Sequence, residues 1–232
     1  MFSIVFKNFF QKLFIKFGYR IQKINTSDKK FTLFKYKNYK EYRDTQIFFN
    51  KKKIDHTWAD KRTLNLIVNI IKKKLDKNPK RAICHGSRNG FEQKFLKKKF
   101  KNLSVIGTDI SETAKNFENS IMWDFHKTKS EWVNNYDFVY SNSLDQSYNP
   151  KRALTTWVAQ LRVGGLLFLE MSNQDNPNNS SKMDPFGVEM EFFPYLIAKW
   201  FGDKFTLEIF KSNKGEKKNY TEVHIFVLKK LG

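Results

Sequence analysis

The chain has 232 residues, 40 % hydrophobic and 28 % charged, with a formal net charge of +20 and one cysteine. That length suits one globular domain with an extension, with enough apolar material for a core, and a lone cysteine excludes an intrachain disulfide and a cysteine-ligated metal cluster. The charge invites a nucleic-acid partner, but the lysines come in short scattered runs (51–53, 72–74, 97–99) and not as one Arg-rich stripe with interleaved aromatics. Solvated helix faces are the favoured account of them, and the abundance of Lys, Asn, Ile and Phe looks like the bias of an AT-rich genome.

In residues 1–24, Phe2, Phe6, Phe9, Leu13 and Phe17 fall on one helical stripe, widened by Val5, Phe10 and Phe14, with Lys7, Asn8, Gln11 and Lys12 opposite and Gly18 as a stop. No uncharged run approaches the roughly twenty residues that span a bilayer, and no signal-peptide cleavage site is visible. A basic amphipathic helix of this kind suits the surface of an anionic membrane; packing on the domain or on a dimer partner accounts for it equally well. Residues 25–59 carry Tyr36, Tyr39, Tyr42, Phe48, Phe49 and Trp58, too many aromatics for a flexible linker.

From residue 60 onward, strand and helix patterns alternate, which predicts an α/β fold. Helices are expected over 60–75, 90–100, 111–117 with Ser111 as cap, 150–161 and 189–201. Between the first two, Arg81-Ala-Ile-Cys-His-Gly-Ser-Arg-Asn-Gly-Phe-Glu92 reads as strand, glycine turn and helix start, and Val105-Ile-Gly-Thr-Asp-Ile-Ser111 as a strand ending in a carboxylate. Such a turn lets a ligand sit against bare backbone at a helix N-terminus, and a carboxylate roughly twenty residues further on can accept from a ribose diol. Gly86 and Asp109 have that separation, which points to an adenosine-containing cofactor. Further strands are expected at 120–125, ending near Asp124; at 136–141, running into the turn Ser141-Asn-Ser-Leu-Asp145; and after Gly164-Gly165. Two period-two segments, 205–212 and 221–229, flank a polar stretch at 213–220 and predict a terminal hairpin. The Asn- and Ser-rich stretch 172–187, with Pro177 and Pro185, follows the fifth strand, where open α/β sheets place their crevice, and is the expected substrate loop.

These motifs, taken in order over residues 60–230, resemble the class I S-adenosylmethionine-dependent methyltransferases. The family's first motif is an acidic residue followed by Gly-x-Gly-x-Gly. Here Gly86 and Gly90 match, Cys84 stands at the acidic position, and Arg88 replaces the middle glycine. Arg88 cannot take positive φ as cheaply as glycine, so the loop is expected to bend differently from the family norm. The resemblance implies a Rossmann-like seven-stranded sheet with a C-terminal antiparallel hairpin and helices on both faces. It implies S-adenosyl-L-methionine as cofactor, with Asp124 accepting from the adenine amino group and Met122, Trp123 and Phe125 against the ring. The implied cofactor set is Gly86, Ser87, Arg88, Asn89, Gly90, Glu92, Asp109, Ile110, Trp123, Asp124, Phe125, Asn142 and Ser143. In the family the segment before the first strand often closes over the cofactor, so Tyr42, Gln46, Asn50 and Trp58 are candidate lid contacts; packing on the sheet edge is the plainer account. The domain plan is then a helix at 1–24, a lid or linker at 25–59 and a methyltransferase domain at 60–232.

For an alcohol or amine acceptor, a base is useful. Asp145 is the first candidate and His85 the second, with His126 and Glu170 also near the expected methyl position. No His/Asp/Glu set has metal-ligand spacing, so no metal is expected. The turn at 141–145 lacks the Asn/Asp-Pro-Pro-aromatic sequence of amino-directed nucleic-acid enzymes, and Cys84, on the first strand, is expected as a small core residue and cannot serve as a carbon-5 nucleophile. The expected reaction is methyl transfer to oxygen or nitrogen of a small-molecule or glycan-type acceptor. An RNA methyltransferase using the basic surface, or a non-catalytic cofactor-binding protein of the same fold, stands as the alternative. The opening segment also resembles bacterial methyltransferases associated with surface-polysaccharide synthesis, which would place the chain in the cytoplasm with peripheral contact at the inner face of the membrane. Oligomeric state is not legible.

Overall fold

Two hydrophobic faces must be covered when a parallel strand is apolar at every position, and the strands here meet that condition. The structure, a computed structural model, describes residues 29–212 and 222–232; the amphipathic helix expected at 1–24 and the hairpin connection at 213–220 lie outside the described residues. In chain order the main elements are β1 (Phe31–Leu33), α1 (Tyr39–Lys52), α2 (Lys61–Lys74), β2 (Arg81–His85), α3 (Phe91–Lys99), β3 (Ser104–Asp109), β4 (Ser120–Met122), β5 (Tyr136–Ser141), α4 (Pro150–Gln160), β6 (Leu161–Ser172), β7 (Phe186–Val188), α5 (Phe193–Phe201), β8 (Phe205–Ser212) and β9 (Val223–Lys230). Seven strands form one sheet in the order β4-β3-β2-β5-β6-β9-β8. It is parallel from β4 to β6, and β9 and β8 add antiparallel at the edge, as the hairpin pattern predicts.

Period-two alternation splits the core between the two faces. Phe138, Tyr140, Leu166 and Phe168 pack with Ile67 and Ile71 of α2 and Leu96 of α3. Val139, Leu167 and Leu169 point the other way, onto Trp157 of α4 and Phe193 and Ile197 of α5. Cys84 is buried in the first of these clusters as a small core residue.

The expected helix at 111–117 is a short 3-10 turn over Glu112–Asn116, still capped by Ser111 Oγ accepting from Thr113 N. Only Ala114 of that segment is buried, so no apolar face rewards a longer helix. The last helix starts at Phe193, four residues later than expected, because Phe192 N and Phe193 N both donate to Glu189 O in a preceding turn. The lysine runs fill the last turns of α1, α2 and α3, where cations face the negative end of the helix dipole.

α1 is an element that the sequence pattern does not announce. Asn38 caps it, with Oδ1 accepting from Glu41 N at 3.0 Å. Its buried face is Tyr42, Thr45, Gln46 and Asn50, at helical spacing but largely polar. β1 pairs antiparallel with β7, so the chain before α1 and the loop after β6 are joined in a second small sheet. Together they cover the C-terminal ends of the parallel strands.

Candidate functional site

The strand order reverses between β3 and β5 on either side of β2, and the cleft opens there, beyond the carboxyl ends of the strands. Gly86 leaves β2 at φ +71, and a Cβ on it would lie 2.5 Å from Ser143 Cβ, so only glycine lets the ends of β2 and β5 approach this closely. The amides of Gly86 and Ser87 both donate to Thr108 O. Arg88 stands at the position that the resemblance gives to the middle glycine. It takes the left-handed conformation itself, at φ +45, held by its amide donating to Asp109 Oδ2 at 3.1 Å and its Nη1 donating to His56 O at 3.0 Å. Asn89 Nδ2 similarly donates to Ile54 O at 3.1 Å. Both side chains thus tie the glycine turn to the segment that follows α1.

Under α1 lies a crevice lined by Asp109, Ile110, Asp124 and Phe125 from the sheet side and by Tyr42, Gln46, Phe49 and Asn50 from the helix. Asp109 ends β3, and its Oδ1 accepts from Ser111 N at 3.0 Å. Burial pushes its carboxyl above the usual range against those two amide bonds. Asp124 Oδ1 accepts from His126 N and pairs with His126 Nδ1 at 2.8 Å, while Oδ2 accepts from Tyr39 Oη at 2.8 Å. Although partial burial opposes it, the hydrogen bonds from His126 and Tyr39 hold this carboxyl down at about 2. The crevice has a volume of ≈ 30 Å³, room for about one water molecule.

A wider cleft of ≈ 690 Å³ continues past Gly86, lined by Ser87, Arg88, Asn89, Glu92, Asn142, Ser143 and Asp145, and by Gln174, Asp175 and Asp184 from the loop after β6. That volume is in the range of small-molecule sites, about 300–1,000 Å³. Trp58, Lys53 and His56 close it on the side of α1. Four carboxyl groups face this cleft in a chain of net charge +20. Burial, reinforced by Asp175 and Asp184, pushes the Asp145 carboxyl well above the usual range, and its Oδ1 is buried without a hydrogen-bond partner. Burial raises Asp175 to about 7 despite the amide of Ser172, which donates to its Oδ2 at 2.6 Å. Among the described residues no three His, Cys, Asp or Glu side chains are arranged to hold a metal ion.

No family profile and no curated protein matches the sequence. Solved structures do match the fold. Burkholderia thailandensis 1,6-didemethyltoxoflavin-N1-methyltransferase, solved with 1,6-didemethyltoxoflavin and S-adenosylhomocysteine, superposes with a TM-score of 0.65 at 10 % identity over 90 % of this chain and 99 % of that one. The plantazolicin methyltransferase BpumL, in complex with a triazolic desmethylPZN analogue and S-adenosylhomocysteine, gives 0.62 at 14 % identity over 82 % and 98 %. The [4+2]-cyclase SpnF gives 0.54 at 11 % identity over 81 % and 94 %. This is the class I methyltransferase fold.

Within that fold, several expected residues are not at the cleft. His85 is 1 % exposed; its ring nitrogens pair with Thr108 Oγ1 and Gln160 Oε1, both at 2.8 Å, and its ring stacks on Trp157. Burial depresses it to about 4. A neutral ring with both nitrogens engaged beneath the sheet cannot act as the base, so His85 is withdrawn as a catalytic candidate. His126 is likewise buried, between Asp124 and Ser147 Oγ. Glu170 accepts from Tyr140 Oη at 2.7 Å in the core. Trp123 is also withdrawn as a ring contact: its Nε1 donates to Lys127 O at 2.8 Å and its ring meets the edge of Trp132. Met122 points to solvent. Gly90, at φ +73, starts α3 without lining either cavity. Tyr42, Gln46, Asn50 and Trp58 all reach the cavities, as do Phe49, Lys53 and Gln146, which the sequence does not single out as contacts, and Asp175, Met183 and Asp184 from the stretch 172–187 expected as the substrate loop. No helix among the described residues is long and apolar enough to cross a membrane.

Proposed function

We propose that the chain is an S-adenosylmethionine-dependent methyltransferase acting on oxygen or nitrogen of a small-molecule acceptor, with Asp145 as the base. The carrying observation is the juxtaposition of Asp109 and Asp124 in the crevice with the partnerless Asp145 oxygen in the adjoining cleft. The crevice residues fit an adenosine: the Asp109 carboxylate retains lone pairs for a diol, Phe125 and Ile110 offer apolar walls, and Asp124 Oδ2 can accept from an amino group once Tyr39 lets go. The width does not fit until α1 lifts, so α1 acts as the lid.

When bound, the cofactor supplies a methyl group on a sulfonium, already a good leaving group. Asp145 would take the proton from the acceptor's O–H or N–H, leaving the acceptor's electron pair free for the methyl group that the bound cofactor would supply. A carboxyl held above the usual range is a better match to that proton than an ordinary aspartate. Four carboxyl groups in the cleft favour an acceptor that exchanges hydrogen bonds with them, such as an amine or a polyol of glycan type. The similar structures solved with 1,6-didemethyltoxoflavin and with a triazolic desmethylPZN analogue accord with a small acceptor. Calorimetric titration with S-adenosylmethionine and S-adenosylhomocysteine is the first test; absence of binding by both would remove the reading and leave another chemistry of the fold, as SpnF illustrates. Membrane contact through residues 1–24 and a role in surface polysaccharide synthesis stay proposals of the sequence reading, tested by co-sedimentation with anionic and neutral vesicles.

A further inference from the structure

Glu92 is in the first turn of α3 and is only 5 % exposed. Its Oε1 has a long contact, 3.4 Å, from Asn142 Nδ2, and its Oε2 has no hydrogen-bond partner. The side chain lines the cleft beside Gly86, Ser87, Asn142 and Ser143. A buried carboxylate oxygen without a partner is costly unless a cation or donor meets it, and the donors this carboxyl has, Asn142 and its own backbone amide, leave Oε2 unmet. Arg88, on the glycine turn, sends its Nη1 to His56 O and acts on Glu92 only at a distance. Glu170 of β6 repels it, and Glu170 is itself bonded by Tyr140 of β5. Burial, with Glu92 adding to it, holds the thiol of Cys84 on β2 in the protonated form. Burial raises Glu92 to about 7.

We infer that Glu92, delivered to the cleft by the first turn of α3, is the anchor for the α-ammonium group of the cofactor. This rests on the cofactor reading above. If the adenosine occupies the crevice at Asp109 and Asp124, the amino-acid end runs past Gly86 into the wide cleft, because Gly86 and Arg88 line both cavities. An ammonium there meets the empty Oε2, completes its hydrogen bonding and favours its ionised form.

The test is calorimetry on the full chain with two probes: S-adenosylhomocysteine, and its analogue carrying hydrogen in place of the amino group. Glu92→Gln should weaken the first by at least about tenfold, the loss of one charge-assisted hydrogen bond, and the second by less than about twofold. Equal weakening of both, or of neither, overturns the assignment. Wild-type protein gives an independent measurement that needs no variant. Near pH 7, binding of S-adenosylhomocysteine should expel the proton that Glu92 holds, seen as a difference in apparent enthalpy between phosphate and Tris buffers, and the deaminated analogue should not. Equal proton release by the two probes also overturns it. If wild-type protein binds neither probe, the cofactor reading has failed and this assignment falls with it.

Discussion

Tyr39 Oη donates a 2.8 Å hydrogen bond to Asp124 Oδ2, joining the first residue of α1 to the carboxylate that follows β4. The contact closes the crevice from above: α1 can rise only by breaking it. The tyrosine ring is also packed on Tyr42 and Tyr148, with Lys127 over its face, so the latch is a small aromatic cluster with one charged hydrogen bond at its tip.

Replacing Tyr39 by Phe keeps the ring packing and removes that bond. The open state then becomes more populated, and apparent affinity rises in proportion to the competent fraction. Because Tyr39 is 41 % exposed, water replaces much of the bond, and we expect S-adenosylhomocysteine to bind about two- to fivefold more tightly. Weaker binding of the variant, measured by titration calorimetry, would show that Tyr39 helps the ligand and does not compete with it.

Asp109→Ala should weaken S-adenosylhomocysteine by at least about tenfold, since a hydrogen bond to a charged group contributes about 1.5–3 kcal/mol. The same change strands the amides of Arg88 and Ser111. Thermal melting of the free protein should therefore drop as well, and the binding loss is to be read at a temperature where the variant is fully folded. Unchanged affinity in folded protein would disprove the diol site.

Asp145→Asn tests the base. Activity of the natural chain should climb with pH as the raised Asp145 carboxyl ionises, because only the carboxylate accepts a proton. The variant should lose about 10²–10⁴ in kcat together with that acidic limb of the pH profile, while its affinity for S-adenosylhomocysteine stays within about twofold. A variant that keeps the limb would assign it to another group.

Asp175 carries a stability prediction with a definite sign. Its carboxyl is raised from 3.8 to about 7 in the native state, so between those values the folded chain holds more protons than the unfolded one. Its contribution to stability is therefore present at low pH and is lost as pH rises through about 7. Asp175→Asn keeps the side-chain oxygen for Ser172 N and cannot ionise. Relative to the natural chain, its free energy of unfolding should improve from pH 5 to pH 8 by an amount on the order of 2 kcal/mol, read from denaturant unfolding at each pH. A constant difference across that range would place the strain on Asp145 or Asp184.

Much of this fold was legible because its determinants are local. Apolar runs such as Phe138-Val139-Tyr140 declare a strand buried on both faces, and Gly86 followed by the strand-end Asp109 declares a turn and a carboxylate that no other arrangement of the sheet would separate. α1 was not legible as a helix. Its buried face is Tyr42, Thr45, Gln46 and Asn50, and a polar face that covers a cleft leaves no hydrophobic period to read. His85 shows the opposite failure: a histidine beside a glycine turn looks available, and only the positions of Thr108, Trp157 and Gln160, remote in sequence, make it a core residue. The sequence by itself determined the succession of strands and helices along the chain, the glycine turn and the carboxylates at the strand ends, since these follow from periodicity and backbone sterics. Tertiary structure alone decided which carboxylates share a cleft, because Glu92, Asp145 and the Asp175–Asp184 pair come from three separate segments, and both their burial and their mutual repulsion depend on distances that no local pattern encodes.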